Sequence, residues 1–212
     1  MRNTSMEEES VVQVNYWKEM RKEINKTFES LHGLVLLTHN SIEFSDLIDF
    51  LNNLRRNQET TVLYISLINS YIHIKQTLQI HPLPSKKIFV VDCVSGFLLE
   101  LQDSVNCVYR KPPSNLEEMK NLIMKNIQWS SPNIIVVDSI SQFINFTIPT
   151  DEELHSLYTF LKSIKENALG VTCDTIILLY DDKMGSMKKL PTVFTDAIMK
   201  LEVIKEKPEW KD

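Results

Sequence analysis

Along this chain, short unbroken apolar runs alternate with stretches in which apolar positions recur every three or four residues. The runs are Leu34 to Leu37, Val62 to Ser66, Ile88 to Val91, Ile134 to Val137 and Thr175 to Tyr180. They lack the in-out alternation of a half-solvated sheet, so each reads as a strand covered on both faces. Val105 to Tyr109 adds a short edge strand before Pro112-Pro113, and Ala197 to about Ile204 a last strand. The helical period is clearest in two places. Trp17, Met20, Ile24, Phe28 and Leu31 form one apolar stripe between Glu7 and Leu31. Phe44, Leu47, Ile48, Leu51 and Leu54 form another, after a Ser41 cap. Ser70 to Gln79 is a further helix, ended by Pro82 and Pro84. Ser114-Asn-Leu-Glu117 and Thr150-Asp-Glu-Glu153 both match the capping box, in which side chains satisfy the free N–H groups of a helix start.

Strands buried on both faces and separated by helices predict an α/β fold: three layers, with a mainly parallel central sheet and helices on both sides. Right-handed crossovers bring every strand's carboxyl end to one edge. Thr38, Ser66, Asp92, Asp138 and Asp181 are expected there. The expected organisation is an amphipathic N-terminal helix, residues 1–32, packed on one α/β domain, residues 33–212. No internal repeat or low-complexity tract interrupts it.

Composition narrows the chemistry. A formal net charge of −5 and an isoelectric point near 5.6 give no general field for phosphate backbones, which argues against nucleic acid as a partner. Cys93, Cys107 and Cys173 are widely spaced and odd in number, which indicates reduced core thiols rather than a disulfide framework or zinc site. The start is polar and acidic, and no apolar run approaches the ~20 residues that span a bilayer, so a cytoplasmic protein with no membrane contact is expected. The histidines show no metal-binding spacing, and no serine stands in a nucleophile motif. Four glycines in 212 residues leave almost none for a loop whose backbone must approach a phosphate.

The order of elements, with Val62-Leu-Tyr-Ile-Ser66, Ile134-Ile-Val-Val-Asp-Ser139 and Thr195-Asp-Ala-Ile-Met-Lys-Leu201, resembles the RecA-like branch of P-loop NTPases. Within it, the chain is similar to the KaiC and RadA type proteins of archaea and bacteria, from about Gly33 to Ile204. The resemblance makes Asp138 the Walker B aspartate and aligns Thr38-His-Asn-Ser-Ile-Glu-Phe-Ser45 with the phosphate-binding GxxxxGK[ST] loop. Length and final hydroxyl are kept. Thr38 and Glu43 stand where the glycines belong, and Phe44 where the lysine belongs. Losing that ammonium deletes a charge-assisted phosphate contact, and Glu43 sets a carboxylate where a triphosphate would lie. Relatives of the KaiC type also carry a catalytic carboxylate just after the second strand, where this chain has Leu67-Ile68-Asn69.

The expectation is therefore a pseudo-ATPase: a RecA-like domain with no catalytic residue and no cofactor, working as a structural or regulatory interaction module. Its partner would be protein, either further copies of itself or an active RecA-like ATPase. The rival is a KaiC-like ATPase with an unorthodox loop, holding ATP and magnesium through Thr38, Ser41, Ser45, Asp138 and Ser139. Asp92, Asp138 and Asp181 are alternative oxygen ligands for a divalent cation, against the simpler reading of strand-end aspartates bonded to neighbouring loops. His39 reads as a solvent-facing loop histidine. Lys183, Lys188 and Lys189 around Gly185 read as edge-strand protection, and Trp17 and Trp129 as packing residues. A flavodoxin-like receiver with Asp92 as acceptor would need an acidic pair after the first strand and a lysine after the fifth. Thr38-His39 and Asp181-Asp182 occupy those places.

Overall fold

The computed structural model describes residues 26–39, 44–54, 59–98, 101–166, 173–183 and 195–201. In chain order the elements are β1 (Gly33–His39), α1 (Phe44–Asn53), β2 (Thr60–Ser66), α2 (Tyr71–Ile80), β3 (Lys86–Asp92), α3 (Ser95–Leu98), β4 (Cys107–Tyr109), α4 (Leu116–Ser130), β5 (Ile134–Asp138), α5 (Ile140–Thr147), α6 (Asp151–Lys165), β6 (Thr175–Asp181) and β7 (Ala197–Leu201). The seven strands form one sheet in the order β4-β3-β2-β5-β6-β1-β7. Every pairing in it is parallel.

The pleat divides the apolar runs between two cores. Leu34, Leu36, Leu63, Ile65, Ile135, Val137, Ile176 and Leu178 face one side, where α4, α5 and α6 cover them through residues such as Ile123, Phe143 and Leu157. Val35, Leu37, Val62, Tyr64, Val136, Ile177 and Leu179 face the other, under Leu47, Ile48 and Leu51 of α1 and Ile74 of α2. Successive strand residues point to opposite faces, so only an unbroken apolar run can fill both cores.

Three local devices set the frame. Gly33 enters β1 with φ of 91°, and a Cβ there would overlap the Asp196 carboxylate. That carboxylate accepts from Leu34 N–H at 2.7 Å while Asp196 N–H donates to the Leu34 carbonyl at 2.8 Å, clamping the approach to β7 onto β1. At the other end of the sheet the buried Lys86 ammonium donates to the Leu54 carbonyl just past α1 at 2.6 Å and to Thr60 Oγ1 at 3.3 Å. The Thr150 capping box forms as expected, with Glu153 N–H donating to Thr150 Oγ1 and the Glu153 carboxylate accepting from Thr150 N–H.

The structure departs from the sequence reading in particular places. The N-cap of α4 is Asn115 rather than Ser114: its side chain accepts from Glu118 N–H at 2.9 Å, and the Glu118 carboxylate reaches back to Ser114. The reciprocal pair is shifted by one residue because asparagine accepts as well as serine does. The helix α5 was not anticipated, since its apolar Ile140, Phe143 and Ile144 follow directly on the β5 run. Trp129 is 40% exposed and meets Phe89 edge-on at 4.8 Å. Of the N-terminal stripe, Phe28 packs edge-on against Phe50 at 5.2 Å and Leu31 is buried. Trp17, Met20 and Ile24 lie outside the described residues, as do Ser41, Glu43, Gly185, Lys188, Lys189 and residues 202–204.

Candidate functional site

The carboxyl ends of the strands meet at one edge, as parallel crossovers require. In register there, Ser66 pairs with Asp92 on one side and Asp138 on the other, and Thr38 and His39 pair with Tyr180 and Asp181. Asp138 is the centre of this edge. It is 5% exposed, and its Oδ2 accepts from the Tyr64 hydroxyl and from Asn69 Nδ2, the latter at 3.1 Å. Tyr64 precedes Ser66 by two residues, so it stands on the same face as Asp138 and its ring spans the step between β2 and β5. Asn69 is brought over by a tight turn in which Ser66 Oγ donates to the Asn69 carbonyl at 2.7 Å and accepts from its N–H at 2.9 Å.

Burial raises the pKa of the Asp138 carboxyl above the ordinary aspartate value. The hydrogen bonds from Tyr64 and Asn69, and after them the electrostatic influence of His39, oppose that shift without cancelling it. Tyr64 is pushed well above the usual phenol value by its own burial first and by the Asp138 charge second. The phenol therefore remains a donor throughout the physiological range. His39 corrects the sequence reading: it is the last residue of β1 and is buried, on the same pleat face as Leu37 and within electrostatic reach of Asp138.

The other acidic candidates serve loops. Asp92 is wholly buried; its Oδ2 accepts from Tyr71 N–H at 2.7 Å, and its Oδ1 from Val94 and Ser95 N–H at 2.9 and 2.8 Å. Three backbone donors at these lengths fix the loops after β2 and β3, and they also fill the oxygens that a phosphoryl acceptor would need free. Asp181 Oδ1 accepts from Lys183 N–H at 2.9 Å. Among the described residues, no group of three or more His, Cys, Asp and Glu side chains is placed to hold a metal ion. Lys183 itself is exposed.

Of the residues aligned with a nucleotide site, Thr38 donates its hydroxyl to the Met199 carbonyl of β7 at 3.3 Å and stands on the opposite pleat face from His39. Ser139 is buried, follows Asp138 through a cis peptide, and shares a hydrogen bond with Ser141 Oγ, which in turn accepts from Asp181 N–H at 3.1 Å. Phe44 and Ser45 open α1, and Ser45 is half-buried. Ser41 lies outside the described residues. The structure thus brings Asp138 together with Tyr64, Asn69 and His39, and leaves Thr38 and Asp92 engaged elsewhere. Tyr64 was missed because it reads as one more apolar residue of a strand. The available signal was its position two residues before a polar strand end.

No protein-family model matches the sequence, and no curated protein matches it. Solved structures do. The flagellar accessory protein FlaH from Methanocaldococcus jannaschii is 14% identical with a TM-score of 0.54, over 88% of this chain and 80% of that one. A KaiC-like protein from Pyrococcus horikoshii OT3 is 14% identical with a TM-score of 0.49, over 84% and 74%. Among the described residues no helix is long and apolar enough to cross a membrane. The seven-stranded parallel sheet with helices on both faces, together with the likeness to FlaH, gives this chain a fold of the RecA/KaiC type.

Proposed function

We propose that this protein is a non-hydrolysing RecA/KaiC-type domain that works by contact, as a structural or regulatory interaction module. One observation carries the reading: the carboxylate in the Walker B position already holds two protein donors, Tyr64 and Asn69, in a buried setting. A magnesium ion coordinated through water needs that oxygen exposed and ionised, whereas burial favours its protonated form. Asn69 also belongs to the Leu67-Ile68-Asn69 turn, where the resemblance to KaiC-type proteins would place a carboxylate. As an amide it donates to Asp138, a contact that a second carboxylate would replace with repulsion. Phe44 at the head of α1 supplies no charge for a phosphate.

In the same reading the N-terminal segment, residues 1–32, packs on the core, with Phe28 against Phe50 as its inner end. The three free, buried cysteines suit a reducing, cytoplasmic setting. The partner is protein.

Calorimetric titration of the full chain with ATP and with GTP, each with magnesium, tests the reading. The expected result is no binding tighter than about millimolar, roughly 4 kcal/mol, and no hydrolysis above background. Micromolar binding that Asp138→Asn abolishes would replace this reading with the rival, a KaiC-like ATPase or nucleotide-binding protein with an unorthodox phosphate loop that uses Thr38, Ser41, Ser45, Asp138 and Ser139.

A further inference from the structure

β7 ends the sheet, with β1 as its neighbour. Its residues alternate: Ile198 and Lys200 are exposed on one face, while Ala197, Met199 and Leu201 are half-buried on the other. That second row packs against the core under α1, which also holds Val35 and Leu37 of β1, both wholly buried. The cover that closes over β1 thins at β7, although parallel sheets are covered on both faces. Three apolar side chains in a row remain partly open there.

The chain leading into β1 supplies a matching stripe. Residues 26–29 form a helical turn, with Ser30 N–H donating to the Lys26 carbonyl at 3.1 Å. Phe28 is half-buried, edge-on to Phe50 near the end of α1, and Leu31 is buried, its carbonyl accepting from Thr175 Oγ1 at 3.3 Å. Lys26, Thr27, Glu29 and Ser30 are exposed, so the apolar side of this turn faces the sheet. Trp17, Met20 and Ile24, outside the described residues, continue the same period in the sequence, and every position between them is polar.

Reach decides where that stripe is covered. At 1.5 Å per residue, Trp17 in a helix would stand about 16 Å before Phe28. The five residues of β7 extend about 13 Å at 3.3 Å per residue. β7 is one strand from β1, about 5 Å, whereas the cleft between α2 and β3 is four strands away, about 19 Å. Leu31 stands just before the amino end of β1, so the stripe is covered only if the earlier turns lie back along the strands toward their carboxyl ends.

We infer that Trp17, Met20 and Ile24 lie over β7 of their own chain, on a helix antiparallel to it, with Ile24 at the Ala197 end and Trp17 at the Leu201 end. This rests on the module reading, in which residues 1–32 pack on the core, and names the surface that receives them. The outermost strand is then closed on this face from within the chain, and a protein partner that docks there must first displace the segment.

Photo-crosslinking of the full chain tests the inference. With p-benzoylphenylalanine in place of Trp17, irradiation should link residue 17 to residues 199–201 of the same chain, mapped by mass spectrometry of the monomer. Met20→Glu should speed hydrogen exchange about tenfold or more in β7 while leaving β2 and β5 as protected as in wild type, because local cover is lost and the sheet interior is not. A link elsewhere in the chain, a link to a second molecule, or no link overturns the inference, as does unchanged protection of β7 in Met20→Glu. Nucleotide titration of the same samples tests the module reading separately. A misplaced link in a protein that binds no nucleotide overturns this inference alone, whereas micromolar binding with the link on β7 overturns only the non-hydrolysing reading and supports the seat.

Discussion

The Tyr64 hydroxyl donates to Asp138 Oδ2 across the β2–β5 step, joining residues 74 positions apart at the carboxyl edge of the sheet. The bond exists because β2 and β5 are neighbours in a register that pairs Tyr64 with Val136, two residues short of Asp138. It makes a strand-end carboxylate part of the core of its own face.

Asp138→Asn should leave the protein as stable as wild type or more stable at pH 7. The amide oxygen accepts from both Tyr64 and Asn69, and the substitution removes a charge that burial disfavours. The native state holds the Asp138 proton more tightly than the unfolded chain, so the unfolded state binds fewer protons between the two pKa values. Wild-type stability should therefore fall as pH rises from about 3.9, the ordinary aspartate value, through the raised folded value. The variant should lose that component of the pH dependence. Urea unfolding as a function of pH measures both; a loss above about 1 kcal/mol at pH 7 would contradict the account.

Tyr64→Phe should have the opposite sign. It withdraws one of two donors from a buried carboxylate while keeping the ring, and a buried acceptor left short costs about 1–3 kcal/mol. It should also move the Asp138 carboxyl further up, extending the falling limb of stability to higher pH. Equal stability of the variant and wild type at pH 7 would show that the bond contributes nothing.

The strands were legible because their signal is redundant: Ile134 to Val137 and Thr175 to Tyr180 must fill two cores at once, which leaves no polar position to confuse the period. Gathering Asp92, Asp138 and Asp181 at one edge followed from topology alone. What each carboxylate does there did not follow. The Asp92 partners belong to loops 21, 2 and 3 residues away, and the Asp138 partners to another strand and its turn. Such contacts depend on register, which a single sequence pattern does not specify. His39 failed for a related reason, since β1 runs two residues past its apolar stretch and buries a side chain that reads as loop. The left-handed Ile148 that ends α5 was hidden because a β-branched residue gives no signal for a helix cap.

Gly33→Ala should destabilise the protein by about 1–3 kcal/mol. The position combines φ of 91° with a Cβ that would meet the Asp196 carboxylate, the group that holds β7 against β1. Either the backbone leaves its conformation or the Asp196 bond to Leu34 breaks. Hydrogen exchange should localise the damage to β1 and β7; uniform protection with unchanged melting would refute this role.

Cys93 and Cys107 should resist alkylation at pH 8 until the protein unfolds. Burial first, and the neighbouring Asp92 charge second, push both thiols up to about 12, so the reactive thiolate is scarce as well as covered. Both should react with a small disulfide reagent in denaturant and neither without it. Fast reaction of either thiol in the native protein would show that the β3–β4 edge opens.

Lys86→Met tests whether a buried cation at the far end of the sheet stabilises the fold. Its ammonium donates to the Leu54 carbonyl just beyond α1 and to Thr60 Oγ1, linking the end of a helix to the starts of β2 and β3. A cation at a helix carboxyl terminus interacts favourably with the helix dipole as well as with the open carbonyl. Methionine keeps the volume and removes the donor, leaving the Leu54 carbonyl without that bond in a buried setting. The expected loss is about 1–3 kcal/mol. For a chain of this size each kcal/mol lowers the melting temperature by about 2–4 °C. Unchanged melting would mean that burying the ammonium costs as much as its hydrogen bonds return.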